Sequence, residues 1–313
     1  MFNWDSVRRF AETVYIYVVR ATFKWVLHVL TGRSEVERLL EAAVKSKNRA
    51  TTVYGIENAL LLSKSLALRQ LPDSCPPEHV GSAVQLIVKS KAIDFGKRPS
   101  VSRPLALVVE QIVGYRRLIQ LVEAARREKY DSIDGTHEAK LFQLWALLKP
   151  GVSLEKRITK QWQEIGFQGN DPATDFRGMG LLGLEQLVYL AHFEKAEAQM
   201  MLSLSHHPKL GFPFAIAGIT MTSLSRELLN TGLLKNHFYN AVLGVPVLVD
   251  FHRVYCRIFS LFCAAWKRAD PASVMEFNVV KEQFHQNLIA YLRKDNAKLD
   301  SACNISLIYD VST

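Results

Sequence analysis

At 313 residues, 49% apolar and 22% charged, the chain can bury a substantial core and is too apolar to remain disordered. Its net charge of +9 is uneven: residues 1–50 hold nine Lys/Arg against five Asp/Glu, residues 151–200 only five against seven. No long basic run or aromatic RNA-binding signature accompanies the surplus, so nucleic acid is not an expected partner.

The first segment, "RRFAETVYIYVVRATFKWVLHVL", is interrupted by Arg20 and Lys24 and offers no run of apolar residues long enough to span a membrane. Its spacing predicts a basic amphipathic helix, with Arg9, Thr13, Arg20 and Lys24 near one face and Phe10, Val14, Val18, Ala21 and Trp25 on the other. Over residues 7–30 such a helix suits an anionic membrane surface. More commonly an apolar face of this kind packs on the rest of its own protein. A mitochondrial presequence fits less well, because Asp5 and Glu12 are acidic.

Helical patterns continue over residues 34–70. The proline- and glycine-containing stretches "LPDSCPPEHV" and "FGKRPSVSRP" read as connections, with a helix "VGSAVQLIVKSKAI" between them. A longer helix, "LALVVEQIVGYRRLIQLVEAARREKY", ends at the turn residues "YDSIDG", where the main boundary is expected. Beyond it, "HEAKLFQLWALLK" stops at Pro150, and "SLEKRITKQWQEIG" is predicted helical from a Ser153 cap to Gly166. "LLGLEQLVYLAHFEKAEAQMMLSLS" reads as one helix. "FPFAIAGITMTSLSRELLNTG" places Pro213 near its start and Gly232 just past its end. "PVLVDFHRVYCRIFSLFCAAWKRA" and "DPASVMEFNVVKEQFHQNLIAYLRK" come next, the last with Asp270 as its expected cap. No strand alternation or repeat appears, so the expected class is all-α, divided into 1–133, 134–297 and a tail at 298–313.

Four cysteines, Cys75, Cys256, Cys263 and Cys303, form no CxxC pair, and reduced thiols in an intracellular setting are expected. His252, Cys256 and Cys263 lie four and seven residues apart on an otherwise apolar helix. That pattern reads as core, and no metal site is expected.

The stretch "DFRGMGLLG" contains the Gly-x-Gly-x-x-Gly spacing of a dinucleotide fingerprint in Gly178, Gly180 and Gly183. The fingerprint needs an apolar strand before its first glycine, and the residues here, "NDPATDFR", are polar and turn-forming. A nucleotide cofactor is therefore excluded. There remains an arginine, Arg177, preceded by two carboxylates, Asp171 and Asp175, and followed by two glycines. Its planar fork suits a phosphate group; a loop-holding pair with Asp171 or Asp175 is the plainer role.

"KQWQEIGFQGNDPATDFRGMGLLGLEQLVYLA", Lys160 to Ala191, resembles the signature of the ELMO domain, and more narrowly of the ELMO-domain-containing (ELMOD) proteins. The elements that carry it are Trp162, "IGFQG" at Ile165 to Gly169, Asp171 to Gly180, and Gly183 to Tyr189. "HPKLGFPFAIAGI" from His207, "FHRVYC" from Phe251, "EFN" from Glu276, and the upstream "LTGRSEVERL", "IVGYRRL" and "REKYDS" extend the likeness over almost the whole chain. It is weakest from about Leu71 to Pro104. The resemblance implies a multi-helix ELMO domain at 134–297 preceded by a helical N-terminal region. It implies a GTPase-activating protein for Arf and Arf-like GTPases, working through Arg177 and having no turnover of its own. The larger ELMO scaffolds lack an arginine at this point, so the alternative it leaves is a non-catalytic scaffold or effector. On this reading Asp171 and Asp175 orient the loop, and Gly178 and Gly180 let it approach the partner. Trp162 and Phe167 pack its base, and Gln168 positions water or bonds within the loop. No cofactor belongs to the chain itself, since GTP and Mg2+ come with the partner. The expected location is cytoplasmic, or peripheral on mitochondria or other internal membranes.

Overall fold

The computed structural model describes residues 20–45 and 48–310, among which every regular element is a helix. The all-α expectation holds. Arg9, Phe10, Thr13, Val14 and Val18 of the expected amphipathic helix lie outside the described residues. The rest of that helix is α1 (Arg20–Thr31), and its Phe23, Trp25, Val29 and Leu30 are exposed. Among the described residues no helix is long and apolar enough to cross a membrane.

The chain forms two compact units, residues 1–113 and 114–313. In the first, α2 (Glu35–Lys45) packs on α3 (Arg49–Leu61), α3 on α4 (Leu66–Ser74), and α4 on α5 (Val80–Lys91). Glu37 is buried, which opposes its charge. The backbone N–H of Ser34 and the guanidinium of Arg98, 2.5 Å away, outweigh that cost and hold its carboxyl below the usual range. The proline-rich connections are partly helical. Pro72 sits inside α4, where burial of Leu68, Leu71 and Pro72 offsets the missing N–H. Pro104 lies in the first turn of α6 (Ser102–Arg127), where no intrahelical N–H is needed. The division at 113/114 falls inside α6, upstream of the turn at 130–135 that the sequence marks most strongly.

The second unit is organised around α8 (Gly180–Phe193). It contacts α7 (Gly135–Leu148), α9 (Lys195–Ser205), α10 (Phe214–Asn230) and α12 (Leu248–Ala269). A helix covered on several sides must be apolar nearly all round. Leu181, Leu182, Leu184, Leu187, Leu190 and Ala191 are accordingly buried. The second half of α6 is tied to α10 by the two-pronged Arg226–Glu123 pair, at 2.6 and 3.0 Å, and by the Tyr115 hydroxyl donating to the Leu229 carbonyl. The remaining helices are α11 (Lys235–Ala241), α13 (Phe277–Leu292) and α14 (Ile305–Tyr309). Within residues 298–310, Leu299, Cys303 and Ile308 are buried.

Three expected helices differ. Residues 153–166 yield only a 3-10 turn, Lys160–Ile165, capped by Thr159 rather than Ser153. Thr159 is extended (φ −153°, ψ 154°), and its N–H bonds to the Asn170 carbonyl, a distant partner that competes with helix. The predicted helix over 181–205 breaks at Glu194 into α8 and α9. Asp270 does not cap the last long helix. It ends α12 in the left-handed region (φ 44°), and Ser273 caps a short turn that leads into α13.

Candidate functional site

The loop between α7 and α8 carries Arg177. It begins with the Lys160–Ile165 turn, whose Trp162 is fully buried and donates its indole N–H to the Arg157 carbonyl at 2.8 Å. Trp162 stands edge-on to Trp145 of α7 and to Phe167, with ring centroids 5.6 and 5.8 Å apart. Phe167 in turn meets Phe176, and Phe176 meets Tyr130, both at 5.7 Å. A ladder of five aromatic rings thus lies beneath the loop. Its three edge-to-face contacts, Trp145–Trp162, Trp162–Phe167 and Phe167–Phe176, add about 0.5–1.5 kcal/mol each beyond burial. Trp162 and Phe167 are both part of that base. Trp145, Phe176 and Tyr130 belong to it as well, although only Phe176, next to Arg177, falls within the sequence motif.

Gly166 closes the first turn at φ +84°, and a Cβ there would lie 2.1 Å from the backbone nitrogen of Phe214. The loop is thereby pressed against the start of α10, where the Ile216 N–H reaches the Gly166 carbonyl. A second 3-10 turn, Pro172–Arg177, comes next. Asp171 caps it by accepting the Ala173 N–H at 2.9 Å, and the same oxygen accepts from Arg157 Nη1 at 2.7 Å. Asp175 accepts the backbone N–H of Gln168 at 3.0 Å. Both carboxylates are therefore engaged within the loop, and neither holds Arg177.

Arg177 is the last residue of this turn and is exposed. Among the described residues nothing hydrogen-bonds or ion-pairs with its guanidinium. Gln168 is also exposed, and its side chain makes no hydrogen bond among them. The glycines after Arg177 differ. Gly178 has φ −79°, and a Cβ there would meet nothing within 4 Å. Gly180 has φ +55°, and its Cβ would fall 2.3 Å from the Arg126 carbonyl oxygen and 2.4 Å from that of Glu128. The Leu181 N–H bonds to the Glu128 carbonyl at 2.7 Å. Gly180 thus permits the close approach of α8 to the end of α6 inside the protein.

The remaining sequence candidates are core. His252 is buried against Tyr189, and burial lowers its pKa to about 4. Burial pushes the Cys256 thiol up and that of Cys263 up to about 12, so neither is poised as a thiolate ligand. Among the described residues no group of three or more His, Cys, Asp or Glu is placed to hold a metal. A cavity of about 750 Å³ bordered by Glu194, His237, Asp250 and Arg257 shares no lining residue with the Arg177 loop. The loop is a surface feature on a buried aromatic base, and among the described residues the guanidinium it presents has no bonding partner.

Residues 120–281 match the model of the ELMO/CED-12 family. The chain is 40% identical over 300 residues to ELMO domain-containing protein 2 of Homo sapiens, covering 96% of this chain and 98% of the relative. It is 42% identical over 293 residues to ELMO domain-containing protein 1 of Bos taurus, covering 88% and 89%. A more distant relative, ELMO domain-containing protein B of Dictyostelium discoideum, is 33% identical over 271 residues, 85% of this chain and 92% of that protein. A match across α6 to α13, with identity of this extent on both sides of it, means that the chain belongs to the ELMO/CED-12 family.

Proposed function

We propose that this protein is a GTPase activator for Arf-family GTPases, inserting Arg177 in trans beside the phosphates of bound GTP. The observation that carries this reading is the contrast within one short turn. Asp171, Asp175 and Phe176 are each fixed by a bond or by burial, whereas the guanidinium of Arg177 is exposed and, among the described residues, uncommitted. An arginine that served to hold the loop would be paired within it. One that serves a partner must be free and yet well placed.

Hydrolysis of GTP spreads negative charge over the phosphoryl oxygens and the leaving group. A guanidinium brought against them stabilises that charge, an effect worth about 10³–10⁵-fold in rate. Lysine delivers a point charge without the bidentate fork. On this reading GTP and Mg2+ arrive with the GTPase.

The test is single-turnover GTP hydrolysis by a panel of Arf and Arf-like GTPases, with the wild-type protein and Arg177→Lys. The variant should melt within about 2 °C of wild type, because exposed substitutions cost within about 0.5 kcal/mol. It should lose at least about a hundredfold of the acceleration. Equal acceleration by both proteins would overturn the mechanism. Binding to a GTPase without acceleration by wild type would identify a scaffold instead.

A further inference from the structure

Arg157 lies outside the signature that draws attention to Arg177, in a stretch whose sequence reads as the start of a helix. Its side chain is 17% exposed and meets three different segments. Nη1 donates to Asp171 Oδ1 at 2.7 Å, Nε lies 4.0 Å from Glu138 of α7, and the guanidinium sits over the Tyr130 ring, 5.6 Å from its centroid. Its own carbonyl accepts the Trp162 indole N–H. Two residues on, the Thr159 N–H bonds to the Asn170 carbonyl, so backbone 157–159 runs beside 170–171.

The partner that matters is Asp171. The oxygen that receives Arg157 is the same one that accepts the Ala173 N–H and starts the turn ending at Arg177. A lone carboxylate can rotate about its terminal torsion and present either oxygen. A guanidinium placed over the Tyr130 ring and aimed at one oxygen removes that freedom. Burial works against the charge on Arg157, but the hydrogen bond to Asp171 and the nearby Tyr130 and Asp171 outweigh it, so its pKa is raised and it stays charged.

We propose that Arg157 is the positioning residue of the Arg177 turn, locking the Asp171 cap so that Arg177 is delivered from a fixed backbone; this rests on the reading of Arg177 as the residue presented to a GTPase. Arg157 never touches nucleotide in this arrangement. Its loss should lower the maximal rate, because the inserted arginine is misplaced, while the surface that meets the partner is left largely intact.

Two measurements on the full chain test this, with Arg157→Gln and the milder Arg157→Lys, which keeps a positive charge but loses the forked guanidinium over Tyr130. The first is amide hydrogen exchange. Exchange over residues 168–178 should rise by about tenfold in Arg157→Gln and less in Arg157→Lys, with the helices of the second unit unchanged. The second is single-turnover hydrolysis at increasing activator concentration. Arg157→Gln should lose about tenfold in maximal rate, with less than about a twofold change in the half-saturating concentration. Unchanged loop exchange overturns the inference, as does exchange raised uniformly across the unit, which would mark a merely structural residue. A loss confined to half-saturation overturns it too. If wild type accelerates no GTPase, the proposed function fails, and the exchange result alone decides whether Arg157 holds the turn.

Discussion

Replacing each glycine of the Gly-x-Gly-x-x-Gly run by alanine separates the role of the motif in the fold from any role in recognition. At Gly180 the backbone is left-handed at φ +55°, which costs an alanine about 1–2 kcal/mol. The added methyl would also lie 2.3 and 2.4 Å from two backbone carbonyl oxygens, Arg126 and Glu128. Neither is the far end of a flexible side chain, so α8 and the end of α6 must move apart. That movement stretches the 2.7 Å bond from Leu181 to Glu128, and leaving its groups unsatisfied adds about 1–3 kcal/mol. The sum, about 2–5 kcal/mol, converts to a Tm lower by roughly 5–15 °C for a unit of this size. Gly178, with φ −79° and nothing within 4 Å of a Cβ, should accept alanine with a change under about 1 kcal/mol of either sign. At Gly183 the methyl would touch Phe176 and Met179 at 3.4–3.5 Å, ordinary contact, so alanine should fall between the two. Thermal melts monitored by circular dichroism report all three. A Gly180→Ala protein melting with wild type, or a Gly178→Ala protein destabilised as much as Gly180→Ala, would refute this assignment. A folded Gly178→Ala protein that loses acceleration would instead assign that glycine to the partner interface.

Trp162→Ala should destabilise the protein by about 3–5 kcal/mol, read as a lower denaturant midpoint, because a fully buried indole leaves a cavity between Trp145 and Phe167. Trp162→Phe keeps most of the ring but leaves the Arg157 carbonyl without its donor, and about 1–3 kcal/mol is expected; equal cost for both variants would show that packing contributes little. Stability should also fall on mild acidification. Burial lowers the folded pKa of His237 and of His252 to about 4, against an ordinary 6.5, so the unfolded chain binds more protons between these values and stability rises with pH across that window. Each imidazole should remove about 2 kcal/mol between pH 7 and pH 5. His252→Gln should flatten the melting profile over that range, and an unchanged slope would mean that His252 is protonated in the fold.

The parts of the fold legible in the sequence are those fixed by local chemistry. α10 is bounded by Pro213 and Gly232 where the pattern puts them, because a proline before a helix and a left-handed glycine after it act within a few residues. Residues 153–159 read as helix but are not, because their conformation is set by Asn170, Asp171 and Trp162, none of which a helical periodicity registers. Asp270 has the look of a cap for the last long helix, yet it terminates α12; both roles suit an aspartate before proline, and only the packing of α12 chooses. The candidate site divides in the same way. The Asp171 cap and the buried aromatic base are consequences of residue type and spacing. The function of Gly180 depends on carbonyls some fifty residues upstream, and Arg157 carries no mark in the chain that separates it from the exposed charges around it.

On the proposed reading an arginine supplied to another protein faces a conflict between freedom and placement, and the magnitudes favour the arrangement of the Arg177 turn. Ordering one residue's backbone costs about 1–2 kcal/mol, so a flexible six-residue loop would charge roughly 6–12 kcal/mol against docking or against the transition state. Fixing only the side chain of one arginine costs about 2 kcal/mol. Here the backbone share is met during folding: the turn from Pro172 to Arg177 starts at a doubly bonded Asp171, is held one residue before its end by Phe176 in the aromatic ladder, and runs into α8 at the point where Gly180 grips the end of α6. Arg177 is left with side-chain freedom and little else to lose. The same arrangement makes its substitution interpretable. A side chain with no bond to its own protein among the described residues can be changed at small cost in stability, so any activity lost with it belongs to the partner's chemistry and not to the fold.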